Sequence, residues 1–312
     1  MDAYIANTDY DWYRFLSSKP DLDEVNFWQP SGSRDFHRVP PGAPFLFKLK
    51  SPHNAIGGFG FFSHASRLPA SLAWETFGEM NGAPSFEEML SRILRYRTTA
   101  PGPHEDPVIG CLMVGQVVFF PKTAWVLQPV DWPIHAVQGT GYDISKGEGL
   151  RVWQECLTCA ADLRAEWKED PVLREIHEGA RFGKPVPVRP RLGQGSFRAA
   201  ILDAYGRSCA VTTEHSLPVL EAAHIRPYEK SGKHEYRNGL LLRADIHRLF
   251  DKGYVSVTPD LRFHVSNRLR EEWKNGATYY PFEGRLIHVP TQPELKPDSR
   301  LLEWHYEEVF RN

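Results

Sequence analysis

One stretch constrains the fold more than any other. Residues 220–253 read LEAAHIRPYEKSGKHEYRNGLLLRADIHRLFDKG. A short apolar run, Val219 to Ile225, contains His224. A polar loop with Gly232 follows, and Asn238 then opens a second apolar run, Gly239 to Leu242. His247 comes nine residues after Asn238, in a segment of helical spacing, and Asp251 falls one turn later. Strand, loop, strand, helix is a ββα unit. It carries His, Asn and His in that order.

Those residue types suit the hydrolysis of a phosphodiester. The reaction needs a base for water, a cation against the phosphate and help for the leaving oxygen. A neutral imidazole titrates near working pH, so His224 suits the base. A divalent ion polarises a phosphoryl oxygen and stabilises the leaving one. His247 and Asp251 stand at i and i+4, share one face of a helix, and so suit one ion. Asn238, at the junction of loop and strand, is placed to brace the loop through its side-chain amide. A single histidine is by default structural. Three residues in order, on the expected elements, are the stronger signal.

This stretch resembles the HNH, or ββα-metal, nucleases. The match lies in AAHI, RNGLLLR and HRLFD around His224, Asn238 and His247. The resemblance implies that His224 is the general base, Asn238 fixes the loop and His247 binds metal, with Asp251 where some members place a further ligand. Many members carry Asp or His immediately before the base, and here that residue is Ala223. Glu221 points to the same side of the strand as Ala223, which makes it a candidate third ligand. Cys209 stands where some of these proteins begin a structural zinc site, but its partner cysteines are missing, so no structural zinc is expected.

The chain has 312 residues, enough for two domains, and a net charge of −2. That balance hides an asymmetry. Residues 1–180 carry 16 Lys+Arg against 23 Asp+Glu, and residues 181–312 carry 21 against 16. The basic part is the one with the ββα unit, as phosphate contact requires. The longest apolar stretch, Val108 to Phe120, is too short to span a bilayer. The first residues include acids and no basic segment of a signal peptide, so a cytoplasmic protein is expected. Cys156 and Cys159 form one CxxC inside a helical pattern, which reads as two small residues packed on a helix.

Residues 1–165 read as a mixed, β-rich domain. AYIANT, VNFWQ, PFLFKL, IGGFGFFSHAS and Val108–Phe120 are strands, and glycines 57, 58 and 60 permit a bulge or close backbone approach. Asp9, Ser71 and Ser85 are candidate helix caps, the last in an S-x-x-E box with Glu88. The domain is rich in tryptophan, including Trp12, Trp28, Trp74, Trp125 and Trp132. Most must be core. An enzyme that inspects a base, however, holds it flipped out between rings and polar groups. Trp28, with Asn26 and Ser31 beside it, is the candidate for that work. The segments FWQPSGS, PFLFKLKSPHNAIGGFGFF and AWETFGEMNGAPS resemble the N-terminal part of HNH restriction enzymes. The order of elements is similar to the PUA superfamily, which includes EVE and ASCH domains. That resemblance implies a β-barrel-like reader of modified bases.

Residues 166–195 form a Pro- and Gly-rich linker, with four basic residues and no acid from Arg181 to Arg191. Arg189, Arg191, Gln194 and Arg198 are candidate contacts to DNA phosphates. Residues 196–312 hold the nuclease domain: a helix from Ser196 ended by Gly206, the ββα unit, a hairpin turning at Pro259-Asp260, and a terminal amphipathic helix. That helix presents Leu301, Trp304, His305 and Phe310 for packing, and His305 reads as structural.

The expected class is therefore α+β, a β-barrel-like PUA-type domain followed by a ββα-metal domain. By resemblance the activity is that of a modification-dependent restriction endonuclease, acting on double-stranded DNA that carries 5-methyl- or 5-hydroxymethylcytosine, with Mg²⁺ or Mn²⁺ as cofactor. One active site cuts one strand, so double-strand cleavage calls for a homodimer or two successive nicks. Other classes consistent with the sequence are a DNA reader with an inactive HNH unit, an RNA-directed nuclease and a nuclease toxin.

Overall fold

The computed structural model describes residues 2–20, 22–32, 36–97, 102, 105–163, 192–227, 234–274 and 276–311. The chain divides into two compact units, Met1–Gly193 and Gln194–Asn312. Most of the basic linker, including Arg189 and Arg191, lies outside the described residues, as does Gly232.

The first unit is built on a seven-stranded mixed sheet. Its strands are β1 (Asp2–Thr8), β2 (Glu24–Gln29), β3 (Pro44–Leu49), β4 (Ala55–Pro69), β5 (Val108–Phe119), β6 (Val126–Leu127) and β7 (Gly139–Asp143). The order is β2-β5-β4-β3-β1-β7, with β6 paired to β4. β1 and β3 run parallel, and the other pairs are antiparallel. Helix α1 (Tyr10–Ser17) follows β1; α2 (Ala70–Phe77) and α3 (Phe86–Arg95) follow β4; α4 (Gly147–Leu163) closes the described part.

Both faces of the sheet are covered, so its strands do not alternate between buried and exposed residues. On one face Ala3, Ile5, Phe59 and Phe61 pack with Trp153 and Cys156 of α4. On the other, Tyr4, Phe45, Phe47 and Val114 pack with Trp12 and Leu16 of α1. All six residues of β3 are buried. Lys48 is buried there, donating to Asn7 Oδ1 at 3.1 Å and lying over the Trp132 ring. A closed barrel is not shown: among the described residues no pairing joins edge strands β2 and β7.

The glycines of β4 serve close approach. A Cβ on Gly58 would meet Val118 O at 2.3 Å, and its φ of 156° suits glycine. The register with β5 shifts twice in the following residues, between Phe59 and Phe61 and between Phe62 and His64. Ser85 caps α3 by accepting from Glu88 N. Asp9 occupies the cap position of α1 but spends its carboxylate on Lys50 and Tyr96 instead. Ser71 is no cap either, since it binds Asp106 from inside α2.

The second unit opens with α5 (Gln194–Ala204), in which Ser196 is internal and buried rather than a cap. Gly206 ends the turn after it, at a φ of 59°. β8 (Leu220–His224) and β9 (Gly239–Arg243) pair antiparallel, and α6 (Ala244–Asp251) follows without a break. β10 (Val255–Val257) and β11 (Phe263–Val265) form the hairpin, and α7 (Arg268–Trp273) and α8 (Ser299–Glu308) complete the unit. In α8 the buried residues are Leu302 and His305 rather than Leu301.

His305 ties α8 to the ββα unit. Its Nε2 lies 3.1 Å from Phe250 O, a group that only accepts, so Nε2 carries the proton. Nδ1 then accepts from Ser256 Oγ at 2.8 Å. The ring also stacks on Phe250, at 3.6 Å and 8°. Burial pushes its pKa down to about 4, with the Phe250 carbonyl opposing the shift. No helix among the described residues is long and apolar enough to cross a membrane.

Candidate functional site

The β8–β9 register sets His224 opposite Gly239. A side chain at Gly239 would collide with Ile201 Cδ1 at 2.4 Å and the Phe197 ring at 2.9 Å, so α5 can press against the end of the strand pair only because this residue is glycine. Phe197 uses that closeness to lie flat on the His224 ring, with centroids 4.0 Å apart and planes at 12°.

Asn238 ends a short 3₁₀ turn, Tyr236–Asn238, and is buried. Its Oδ1 accepts from Arg226 N and its Nδ2 donates to Arg226 O, both at 2.9 Å. Its own carbonyl accepts from Ile225 N at 3.0 Å. The loop between the strands is thus clasped at its mouth, immediately after His224. Arg226 also lies over the Trp304 ring, 5.0 Å from its centroid.

His247 projects from α6 between two carboxylates. Its Nδ1 is 2.7 Å from Glu221 Oε2, and its Nε2 is 3.5 Å from Asp251 Oδ2. Glu221 therefore meets the ring nitrogen opposite the one that faces Asp251. Among the described residues no three His, Cys, Asp or Glu side chains are grouped to hold a metal ion. His247 Nε2 and the Asp251 carboxylate that faces it are donor types that suit a divalent ion. Burial raises the Asp251 carboxyl above its ordinary value; His247 opposes the shift and Glu221 adds to it. A cation beside them would relieve that cost. The start of α6 is held by Arg243, which grips both oxygens of Asp245 at 2.7 and 2.8 Å, while Tyr279 donates to the same carboxylate.

His234 is a neighbour the sequence did not announce. Its Nδ1 lies 2.9 Å from His224 Nε2. Burial pushes the His224 imidazole down to about 4, with His234 and His247 adding to the shift. The ring is therefore neutral near pH 7. His234 sits in an aperiodic polar loop, and Phe197 looks like any apolar helix residue. Neither carries a local signal. Ala223 is fully buried against the core, on the face that Glu221 shares. The Cys209 thiol accepts from Arg243 N at 3.3 Å. Of the candidate phosphate contacts, Gln194 is exposed at the start of α5 and Arg198 is half-buried next to Phe197.

In the first unit, Trp28 borders a cavity of about 390 Å³ with Asp9, Tyr10, Lys50, His53 and Tyr96. Trp28 Nε1 donates to Asn81 O at 2.9 Å. Asn26 is buried beneath, donating to Asn81 Oδ1 at 2.8 Å, and Ser31 is exposed; neither lines the cavity. Asn81 completes this network by donating to Ala73 O and Gly78 O. The loop around residues 130–137 leaves Val130, Ile134 and Val137 exposed by 86, 94 and 83%. Asn7 Nδ2 holds it at Ala136 O and Val137 O, and Gln128 N reaches Asn54 O, next to His53 of the cavity.

Residues 209–258, which include β8, β9 and α6, match the family model described as HNH endonuclease. Among solved structures the chain is similar to ASCH from Zymomonas mobilis, at 8% identity and a TM-score of 0.27, over 39% of this chain and 73% of that one. A point mutant of the same protein gives 8%, 0.27, 39% and 75%. The modification-dependent restriction endonuclease TagI is similar at 12% identity and a TM-score of 0.28, over 94% of this chain and 78% of that one. No curated protein matches the chain.

Proposed function

We propose that this protein is a metal-dependent DNA endonuclease whose first unit selects DNA carrying a modified cytosine and whose second unit cuts it. The observation that carries the nuclease reading is the arrangement around β8 and β9. A neutral histidine stands at a strand end, the loop beyond it is clasped by a buried asparagine, and a second histidine sits between carboxylates on the following helix.

His224 is the general base, neutral at working pH and so able to take a proton from water. Asn238 holds the loop that positions it. His247 Nε2 and Asp251 are the residues that would hold a divalent ion. Glu221, proposed from the sequence as a ligand, is better suited to orient His247, by accepting from Nδ1–H at 2.7 Å and leaving Nε2 to the ion. A Mg²⁺ or Mn²⁺ ion held there supplies polarisation of a phosphoryl oxygen and charge for the leaving oxygen. Gln194 and Arg198 on α5, with Arg189 and Arg191, serve the phosphate backbone.

For selectivity, the cavity beside Trp28 has a volume within the ordinary range of small-ligand sites, about 300–1,000 Å³, and mixes rings with Asp9, Lys50 and His53. Those are the groups that stack and hydrogen-bond a flipped base. The exposed apolar side chains of the neighbouring loop suit contact with base steps.

The test is plasmid cleavage with Mg²⁺ or Mn²⁺ by the wild type and by His224→Ala. Metal-dependent cutting by the wild type, lost in the variant, is the expected result. Equal cutting by both would remove His224 from the reaction, and no cutting with either metal would leave a DNA reader.

A further inference from the structure

The ββα motif supplies His224, Asn238 and His247, but His234 has no place in it. His224 Nε2 nevertheless lies 2.9 Å from His234 Nδ1. The two rings meet edge to face, 4.9 Å apart and at 66°. Phe197 fixes the plane of His224 by stacking, and His234 fixes one direction within that plane. Among the described residues His224 Nδ1 makes no hydrogen bond.

Two neutral imidazoles at this separation share one N–H···N bond, and one of them must donate. Suppose His234 Nδ1 donates. His224 Nε2 then spends its lone pair on that bond, and Nδ1 carries the ring proton. Neither nitrogen of His224 is then free to take a proton from water. Suppose instead that His224 Nε2 donates. Nδ1 then keeps its lone pair, and the ring can act as a base. Resting on the nuclease reading of His224, we infer that His234 is a positioning residue: it accepts from His224 Nε2–H and holds His224 in the tautomer whose free nitrogen, Nδ1, faces the proton of the attacking water.

The same logic separates this ring from the other strongly shifted histidine. At His305 the Phe250 carbonyl also fixes the proton on Nε2, but Ser256 then consumes Nδ1, so both nitrogens are spent and the ring is structural. Among the described residues His224 engages one nitrogen. The bond to His234 also becomes charge-assisted when His224 takes a proton, so it strengthens as the reaction proceeds.

The test uses the full chain labelled with ¹⁵N-histidine, with His224→Ala to assign the His224 signals. Cleavage kinetics are run on the wild type, His234→Ala and His234→Asp. The wild-type spectrum is expected to show His224 protonated on Nε2. His234→Ala should mix the two tautomers and lower kcat about 10- to 100-fold at unchanged KM, the usual scale for removing the partner that orients a functional histidine. His234→Asp, which can only accept, should recover most of that loss. His224 protonated on Nδ1 in the wild type, full activity in His234→Ala, or no recovery in His234→Asp would each overturn the inference. If the Ala variant does not fold, the wild-type spectrum and the Asp variant decide. A wild type that cuts no DNA would defeat the nuclease reading instead, and the spectrum would still report the tautomer.

Discussion

Each unit of this protein has a buried asparagine at the end of a 3₁₀ turn. Asn238 closes the turn Tyr236–Asn238, and Asn81 closes Gly78–Asn81. The two are satisfied differently. The side chain of Asn238 bonds both backbone groups of Arg226, inside a single ββα motif. That of Asn81 gathers Asn26 of β2 with Ala73 and Gly78, and its carbonyl receives Trp28. One clasp is local to a motif. The other is assembled by tertiary structure across 55 residues. The difference teaches why a ββα motif can be read from a sequence and the surroundings of Trp28 cannot.

The strongest way to break the comparison is to show that the chemistry is not in the second unit. His224→Ala is expected to lower the cleavage rate by about 10² to 10⁴, the usual contribution of a general base. DNA affinity, measured by gel shift without metal, should stay within about twofold.

The two asparagines come next. Asn81→Ala leaves several buried partners unpaired, and a loss of about 3 kcal/mol is expected. Asn238→Ala leaves both backbone groups of Arg226 unpaired, for about 2 kcal/mol. Hydrogen exchange should locate each loss. The first should loosen residues 24–29 and 70–82 and spare cutting of unmodified DNA. The second should loosen residues 225–239 and slow all cutting. An Asn81→Ala protein that lost activity on every substrate would show that the division of labour is wrong.

Stability of the second unit should also respond to acid through His305. Its folded pKa, about 4, is depressed below the unfolded value of about 6.5. The unfolded chain therefore binds more protons between those values. The contribution is fully present above about pH 6.5 and is lost as pH falls through about 4, a change on the order of 3 kcal/mol. His224 shifts in the same direction. Melting curves from pH 7.5 to 4 should show the decline, and His305→Asn should flatten much of it. A stability independent of pH over that range would contradict the buried neutral ring.

Smaller effects belong to the first unit. Trp28→Ala should weaken binding of modified DNA by about 1–3 kcal/mol, the worth of one base stacked on a ring, with unmodified DNA little affected. Ile134→Asp should leave the melting temperature unchanged, as expected of an exposed residue, while weakening DNA binding less than Trp28→Ala does.

Periodicity made the elements of both units legible, and the strand, turn and helix of residues 220–251 emerge from spacing alone. Three things escaped. Burial on both faces hid the environment of Lys48, because alternation predicts a solvated lysine. Strand closure is a long-range property, so an open sheet and a barrel share the same sequence pattern. Phe197 and His234 reach His224 only through α5 and an irregular loop, whose residues carry no periodic signal. Composition singles out Trp28; Asn26, two residues before it on β2, shares its face and bonds the same Asn81, whereas Ser31 lies beyond the end of the strand, where the period of two gives no direction.

The central claim is that one unit chooses and the other cuts. The most direct test is cleavage of matched plasmids, unmodified or carrying 5-methyl- or 5-hydroxymethylcytosine, by the wild type and Trp28→Ala. The account predicts that the wild type cuts a modified plasmid in preference to the unmodified one, and that Trp28→Ala loses the preference while residual cutting persists. Equal cutting of all plasmids by the wild type would contradict it, leaving a nuclease whose first unit reads something other than a modified cytosine.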